Sequence, residues 1–397
     1  MRIIEVNKFF HERRGAERHF LDLIALLRSR GHEVAVFSMD HPKNAGTPFR
    51  KYFVSRVGYN RDDSALRQRI VGVGRLFWSF EARRNMKKLL DDFHPDLVHI
   101  HNAYHQLSLS FLPIVRKRGI PIVMTVHDYH IVSPDKDAYH GTVGRSYWRF
   151  LFVRKYGFGK RFLLVLKSYW ERMFGFGDMI DRFLVPSRFV KEALVRGGIP
   201  EGKIAVIPHF AVSSDPKEMP NSAPSEGEPY ALYFGGIVEE KGIRELADVF
   251  GRLRFRLVLA GVKTMDVPEG GYVRYVGEKT PEELSSLISG ASFVVSASRL
   301  PETFGLIALE ANMQGKAFYG YRTGAFPEIV ENGRNGRLAA NEDEFGDMIA
   351  RAINGDDGLA SSEEIRSEAR RTFGAETYLR KLEKLVRSVS AVDLSDA

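Results

Sequence analysis

The sequence predicts an α/β fold of two doubly wound domains, each a parallel sheet with helices on both faces. Three observations carry that expectation. Short apolar runs alternate with segments of helical period through both halves. A stretch rich in Pro, Ser, Asn and Glu, residues 213–229, interrupts the alternation at mid-chain. At 397 residues the chain is long enough for two cores. The expected division is a first domain over residues 1–212, a linker over 213–229 and a second domain over 230–375. A last helix at about 376–397 is expected to return to the first domain.

Taken in order, residues 3–6 form the first strand. Gly15-Ala16-Glu17 opens a helix to Arg30 with Phe20, Leu23, Ile24 and Leu27 on its apolar face. Strands follow at 33–38, 97–101 and 122–126, separated by a basic helix over about 63–92 and a helix over 106–117. Ligands of such sheets bind beyond the carboxyl ends of the strands, where Asn7, His101, His127 and Asp128 sit. Residues 183–186 and 204–207 are further strands, and Ser187 is placed to cap a helix to Arg196.

Residues 145–174 break the rhythm. Eight Lys and Arg face one acid, Glu171, and aromatic residues are interleaved with them. From Lys160 the period is helical. Phe162, Val165, Leu166, Tyr169, Trp170 and Met173 are expected on one face, with Lys160, Arg161, Lys167, Ser168, Glu171 and Arg172 opposite. Such a helix suits an anionic membrane surface. A core helix with a solvated basic face is the alternative, and the aromatic load favours the membrane.

The second half restarts the alternation, with strands at 230–234, 256–260, 273–276, 292–296 and 317–320. Helices are expected to 253 and over 281–289, 342–353 and 362–388. Its centre is the run from Arg299 to Gly315, R-L-P-E-T-F-G-L-I-A-L-E-A-N-M-Q-G. A helix is expected to begin near Thr303 or Phe304, and its unpaired N–H groups would seat a phosphate. Glu302 precedes that start and Glu310 follows eight residues on, roughly 12 Å if the segment is helical. Sugar, diphosphate and ribose could all lie along one element. The helix dipole alone also favours glutamates there.

Composition narrows the function classes. The chain is 44% hydrophobic and 27% charged, as in soluble globular proteins. It has no cysteine, which excludes disulfides and thiolate metal sites. No apolar run reaches the roughly 20 residues that span a bilayer. Met1 leads directly into a strand, so no signal peptide is expected, and the location expected is cytoplasmic, peripheral on the inner face of the membrane if 145–174 binds there. Residues 1–210 hold 36 Lys and Arg against 20 Asp and Glu, and the remainder 22 against 30. A basic half can face a polyanion or an anionic surface, or can serve solubility alone. Nucleic acid is not an expected partner, because charge is a poor warrant without a reading module. Gly72-x-Gly74 and Gly157-x-Gly159 lack the third glycine of a dinucleotide turn.

Over essentially its whole length the chain resembles the family 4 retaining glycosyltransferases. The matching pieces are Gly15-Ala16-Glu17, Val126-His127-Asp128, Val185-Pro186-Ser187 and Val206-Ile207-Pro208. Further on come the run from Phe234-Gly235-Gly236 to Lys241-Gly242, the Glu302/Glu310 pair, and Gly324-Ala325-Phe326-Pro327-Glu328. The resemblance implies the GT-B architecture, two Rossmann-like domains facing each other across a cleft, with acceptor held by the first and donor by the second. It implies that Lys241 meets the donor diphosphate and Glu310 the ribose hydroxyls. Glu302, with Thr303, Phe304, Gly305 and Leu306 after it, would hold the sugar. His127 would touch the sugar near the reacting carbon, and Gly15, Gly235 and Gly236 would let backbone approach the donor. His127, Lys241 and Glu302 are thus the candidate catalytic residues; Glu328 is placed equally well to cap a helix or to meet ligand. No metal or other cofactor is implied, and no Asp-x-Asp motif occurs in a donor loop.

Two departures stand out. Gly236 occupies the place where the family usually has an arginine, so one phosphate contact is either missing or supplied from elsewhere, with Arg188 and Arg299 as candidates. Arg14 stands where a second glycine is common, and would meet an anionic acceptor or solvent. The function expected is transfer of a sugar from a nucleoside diphosphate donor to a lipid-linked or polyanionic saccharide acceptor, in cell-surface polysaccharide or glycolipid synthesis. The alternative is a nucleotide-sugar-binding protein with weakened or no transferase activity.

Overall fold

Two six-stranded parallel sheets organise the chain. The structure, a computed structural model, describes residues 1–13, 15–57, 66–135, 143–144, 146–153, 156–211, 228–267 and 270–392. Arg14, Arg145, Arg154, Lys155 and most of the expected linker lie outside the described residues. The chain divides into two units, Met1–Ile207 with Leu379–Ala397, and Pro208–Tyr378.

The first unit holds β1 (Arg2–Val6), β2 (Glu33–Phe37), β3 (Leu97–Ile100), β4 (Ile122–Thr125), β5 (Arg182–Val185) and β6 (Ile204–Val206). Its helices are α1 (Gly15–Ser29), α2 (Leu66–Phe77), α3 (Phe80–Phe93), α4 (Leu112–Lys117), α5 (Phe158–Met173) and α6 (Arg188–Arg196). The strand order is β2-β1-β3-β4-β5-β6, so the winding reverses between β1 and β3. Side chains alternate across the sheet. Ile4, Val6, Val98, Ile100, Ile122 and Met124 enter the main core. Glu5, His99 and Thr125 fall between them and face the other way, where all three are buried.

The second unit holds β7 (Tyr230–Phe234), β8 (Arg256–Ala260), β9 (Val273–Tyr275), β10 (Phe293–Ser296), β11 (Phe318–Tyr321) and β12 (Gly336–Ala339). Its helices are α7 (Ile243–Leu253), α8 (Pro281–Gly290), α9 (Leu306–Met313), α10 (Glu342–Asn354) and α11 (Ser362–Phe373); α12 (Ala375–Val392) begins in this unit. The order is β12-β11-β10-β7-β8-β9, and the winding reverses between β7 and β10. Tyr230, Leu232 and Phe234 enter one core and Ala231 and Tyr233 another, so this sheet is covered on both faces.

The structure divides three helices expected to be continuous. The basic helix stops at Phe77 and restarts as α3, because Ser79 Oγ accepts from the Ala82 N–H at 3.1 Å. Residues 109–111 form a 3-10 turn before α4, whose start carries Pro113 in its first turn. The last helix breaks at Gly374, whose extended ψ ends α11.

The expected faces of α5 also change. Lys167 and Ser168 are buried, not solvated, and Lys167 pairs with Glu171 at 2.7 Å and lies 5.0 Å over the Tyr104 ring. Burial raises the Glu171 carboxyl, against the pull of Lys167. Val165 packs with Tyr147, Phe150 and Val153 in a small separate core. Phe158, Phe162, Leu166 and Met173 form an apolar stripe open to solvent, beside exposed Trp148 and Phe152. All three tryptophans, Trp78, Trp148 and Trp170, belong to the first unit. No helix among the described residues is long and apolar enough to cross a membrane.

Candidate functional site

In the second unit three adjacent strands, β7, β10 and β11, send their carboxyl-end loops to one place, beside the winding reversal. The loop after β7 carries Gly235, Gly236 and the 3-10 turn Glu239–Lys241. Gly242 follows at φ 69°, and a Cβ there would land on the Ala297 carbonyl oxygen. Only glycine lets the turn sit against the loop after β10. Lys241 Nζ is thereby held against Glu302 Oε1 in an ion pair, each side chain about a quarter exposed. Ser298 Oγ donates to the same carboxylate oxygen at 3.2 Å. The Glu302 carbonyl accepts from the Ala325 N–H at 2.9 Å, which ties in the loop after β11. That approach requires Gly324, at φ 54°, since a Cβ would strike the Glu302 backbone.

Tyr233 closes the floor. Its hydroxyl donates to the Gly236 carbonyl at 2.9 Å, and burial foremost, then the Glu302 charge, raises its pKa. Neither Ser298 nor Tyr233 was legible as a site residue, because each occurs in an ordinary strand or loop context.

The helix seat differs from expectation. α9 begins at Leu306 with Gly305 as N-cap, two to three residues later than the pattern suggested. Residues 302–305 are therefore not helical, and only about 6 Å of helical rise lies between Leu306 and Glu310. Gly305 stands at φ 101°, a conformation that delays the first turn. Thr303 is half-buried in this loop. Phe304 is buried against His209 and Phe373, so its backbone alone is available to a ligand. Glu310 is half-buried on α9. Glu328 closes a 3-10 turn, Phe326–Glu328, with its N–H donating to the Ala325 carbonyl at 2.9 Å.

Arg299 is engaged with acids of its own unit. It pairs with Glu245 at 3.3 Å and with Glu342, and lies 4.8 Å over the Tyr321 ring. A phosphate would have to compete with both carboxylates for it. Arg188, in the first unit, is exposed at the first residue of α6, after the Ser187 cap.

The first unit gathers a second constellation around its own winding reversal. His127, just past β4, shares a hydrogen bond between its Nε2 and His101 Nδ1 at 2.8 Å. The two rings stack with centroids 5.1 Å apart, and His19 of α1 meets His127 edge-on at 5.7 Å. His101 Nε2 lies 2.9 Å from Glu5 Oε2, and His99 Nδ1 lies 2.9 Å from Glu5 Oε1. His99 Nε2 reaches Thr125 Oγ1 at 2.8 Å. Gly15 begins α1 in the same unit. Sequence reasoning found His101 and His127 at strand ends but missed Glu5 and His99. The signal was present: each is an ionisable residue inside a buried, otherwise apolar strand.

Residues 13–211 match the family model described as Glycosyltransferase Family 4, and residues 214–372 match Glycosyl transferases group 1. The chain is 27% identical over 171 residues to an uncharacterised glycosyltransferase of Methanocaldococcus jannaschii, covering 41% of this chain and 48% of that one. It thus spans about half the length of that relative. It is 24% identical over 375 residues to the phosphatidyl-myo-inositol mannosyltransferase of Mycolicibacterium smegmatis, covering 89% of this chain and 83% of that one. Sucrose-phosphate synthase from Thermosynechococcus elongatus is similar in structure, with a TM-score of 0.69 and 17% identity over 98% of this chain and 99% of that one. Anabaena HepE in complex with UDP-glucose has a TM-score of 0.67 and 16% identity over 98% and 100%.

Proposed function

The chain belongs to glycosyltransferase family 4 and has the GT-B fold, and we propose that it moves a hexose, with retention, from a nucleoside diphosphate sugar to a saccharide or lipid-linked acceptor. The observation that carries this reading is the Lys241–Glu302 pair, where the loops after β7, β10 and β11 meet at the winding reversal. A diphosphate entering there would draw the Lys241 ammonium from Glu302. Lys241 would then stabilise the charge that grows on the leaving phosphate. Glu302, released, would accept hydrogen bonds from the sugar hydroxyls with the backbone of Thr303 to Leu306 beside it. Glu310 would hold the ribose.

In the reaction the bond from the anomeric carbon to the β-phosphate oxygen breaks and the acceptor oxygen bonds the same face. The acceptor proton passes to the leaving phosphate. No side-chain base is needed, and Lys241 supplies charge that a metal would otherwise provide. A rate unaffected by a chelator would support metal independence. HepE was obtained with UDP-glucose, and the M. smegmatis relative is named for a lipid acceptor; both support an activated hexose and a glycolipid or polysaccharide product.

The acceptor side would be the basic first unit. Its apolar stripe on α5, flanked by Lys160, Arg161 and Arg172, supports docking on an anionic membrane surface from the cytoplasmic side. Release of nucleoside diphosphate from a panel of UDP-, GDP-, ADP- and TDP-sugars tests the proposal. Lys241→Ala and Glu310→Ala should each remove most of the signal.

One observation favours a second reading, a nucleotide-sugar binder without turnover. Gly236 leaves the usual arginine position empty of charge, and two acids hold Arg299. Donor-induced thermal stabilisation with no product from any lipid acceptor would favour it.

A further inference from the structure

Two pairs of imidazoles in the first unit differ in what answers them. In the buried pair, His99 and His101 flank Glu5, each 2.9 Å from one of its oxygens. Burial raises the Glu5 carboxyl, but the attraction of His99 and the ring hydrogen bonds outweigh it and lower the group to about 2. Burial foremost, then repulsion from His99, lowers His101 to about 4. The other pair, His11 and His41, lies in the loops after β1 and β2, with ring centroids 4.4 Å apart and planes 21° from parallel. What surrounds this second pair is cationic.

Hydrogen bonds lace the two loops together. The Met39 N–H donates to the Lys8 carbonyl at 3.3 Å, and the Ala45 N–H to the Phe10 carbonyl at 2.9 Å. Asn44 Nδ2 donates to the Met39 carbonyl at 2.8 Å, so its Oδ1 faces the first loop. That oxygen accepts from the Phe10 N–H at 3.3 Å and from His11 Nδ1 at 3.0 Å. His41 Nδ1 accepts from the Lys43 N–H at 3.2 Å, which leaves the ring proton on Nε2. Val54 bridges to Met39 and brings Arg56 to the same loops.

Charge collects on this scaffold. Arg13 and Lys8 lie 4.8 and 5.8 Å from the centroid of the Phe9 ring, itself 5.3 Å from His11 and 6.3 Å from His41. Burial foremost, then repulsion from His11, Arg56, Lys43 and Arg13, lowers the His41 pKa. Neighbouring acids are directed elsewhere: Asp40 pairs with Arg50 at 2.9 Å, and Glu12 acts on Asp22 of α1. Among the described residues, none makes an ion pair with Lys8, Arg13, Lys43 or Arg56. Arg13, Lys43 and Arg56 are exposed, and Lys8, His11 and His41 are half-buried. Like charges held together repel, and an anion relieves the repulsion. These loops also form the edge at which parallel sheets bind ligands.

We propose that Lys8, Arg13, Lys43 and Arg56, around the His11–His41 stack, form a subsite for a phosphoryl group, wholly within the first unit. A carboxylate brings one charge and two acceptor oxygens. A phosphoryl group brings about −1.5 to −2 and three, a closer match to four cations and the His41 Nε2–H. As an acceptor subsite it rests on the transferase reading above, and it narrows the acceptor to one that carries phosphate, on a free sugar or on a lipid.

The test is proton–carbon correlation NMR of the histidine rings in the full chain, with His11→Gln and His41→Gln used to assign them. Glucose 1-phosphate and geranyl phosphate are titrated in parallel, with glucuronate as the carboxylate comparison. A phosphoryl probe should shift the His11 and His41 signals at concentrations at least roughly tenfold below glucuronate. Tighter binding of glucose 1-phosphate assigns a free sugar phosphate; tighter binding of geranyl phosphate assigns a lipid phosphate. The double variant Arg13→Ala, Arg56→Ala should weaken the tighter probe at least roughly tenfold. His11 and His41 signals unmoved by both phosphoryl probes overturn the proposal, as does equal binding of glucuronate or an unchanged affinity in the double variant. These rings report on the first unit and need no donor. Probe binding here with no nucleoside diphosphate released from any donor would sink the transferase reading alone. Donor turnover with unmoved rings would sink the subsite alone.

Discussion

The two sheets reverse their winding in the same manner but furnish the reversal differently. In the second unit the place is charged and partly open, with Lys241 facing Glu302 at the mouths of three loops. In the first it is sealed, with Glu5, His99 and His101 buried and every link a hydrogen bond. The difference suggests a division of labour. An exchangeable ion pair suits a site that takes in a polyanion, since the incoming charge replaces one already there. A buried, hydrogen-bonded cluster suits a site whose geometry must stay fixed.

The contrast is most easily broken at Lys241. Lys241→Ala should cost about 10²–10³-fold in donor turnover, the usual loss of one contact to developing charge, read as nucleoside diphosphate release. A loss under tenfold would deny the open site its role. Acid should act on the sealed site. Folded, His101 titrates at about 4 against 6.5 and Glu5 at about 2 against 4.5. In those windows the unfolded chain binds more protons, so stability falls as pH drops from about 6.5 through 4 and then from about 4.5 through 2. The first unit should lose a few kcal/mol overall. Tryptophan fluorescence follows that unit alone, because all three indoles lie in it. A denaturant midpoint by fluorescence equal at pH 7 and pH 3 would contradict the buried cluster.

Smaller effects sharpen the comparison. Gly242→Ala should destabilise the second unit by about 1–2 kcal/mol, through its left-handed backbone and the clash with Ala297, seen as a lower melting temperature. Phe158→Ser with Phe162→Ser should weaken sedimentation with anionic vesicles by at least roughly tenfold, given about 1.5–3 kcal/mol for each buried aromatic. Equal binding by the double variant would return the α5 stripe to an ordinary surface. Arg299→Ala should change donor turnover least, about threefold or less, because exposed ion pairs contribute only about 0–1 kcal/mol. A hundredfold loss would instead make it the missing phosphate contact.

Much of the fold could be read from period and punctuation, because buried parallel strands and glycine-led turns leave local marks. β7 and the Gly235–Gly242 loop were visible in that way. The break at Ser79 was not, since one cap interrupts a continuous helical period. The late start of α9 depends on the backbone at Gly305, which composition does not fix. Lys167 was misplaced because its burial depends on Glu171 one turn on and on Tyr104, distant in sequence. The Glu5–His99–His101 cluster was hidden for the same reason: Glu5 lies more than ninety residues from both histidines and meets them only through strand register.

If the outward row of Phe158, Phe162, Leu166 and Met173 docks on a bilayer as proposed, it changes how an acceptor would be found. A catalyst resting on a bilayer searches for lipid substrates in two dimensions. Its rate would follow the mole fraction of acceptor among neighbouring lipids, and inert lipid added at constant total acceptor would slow it by dilution within the surface.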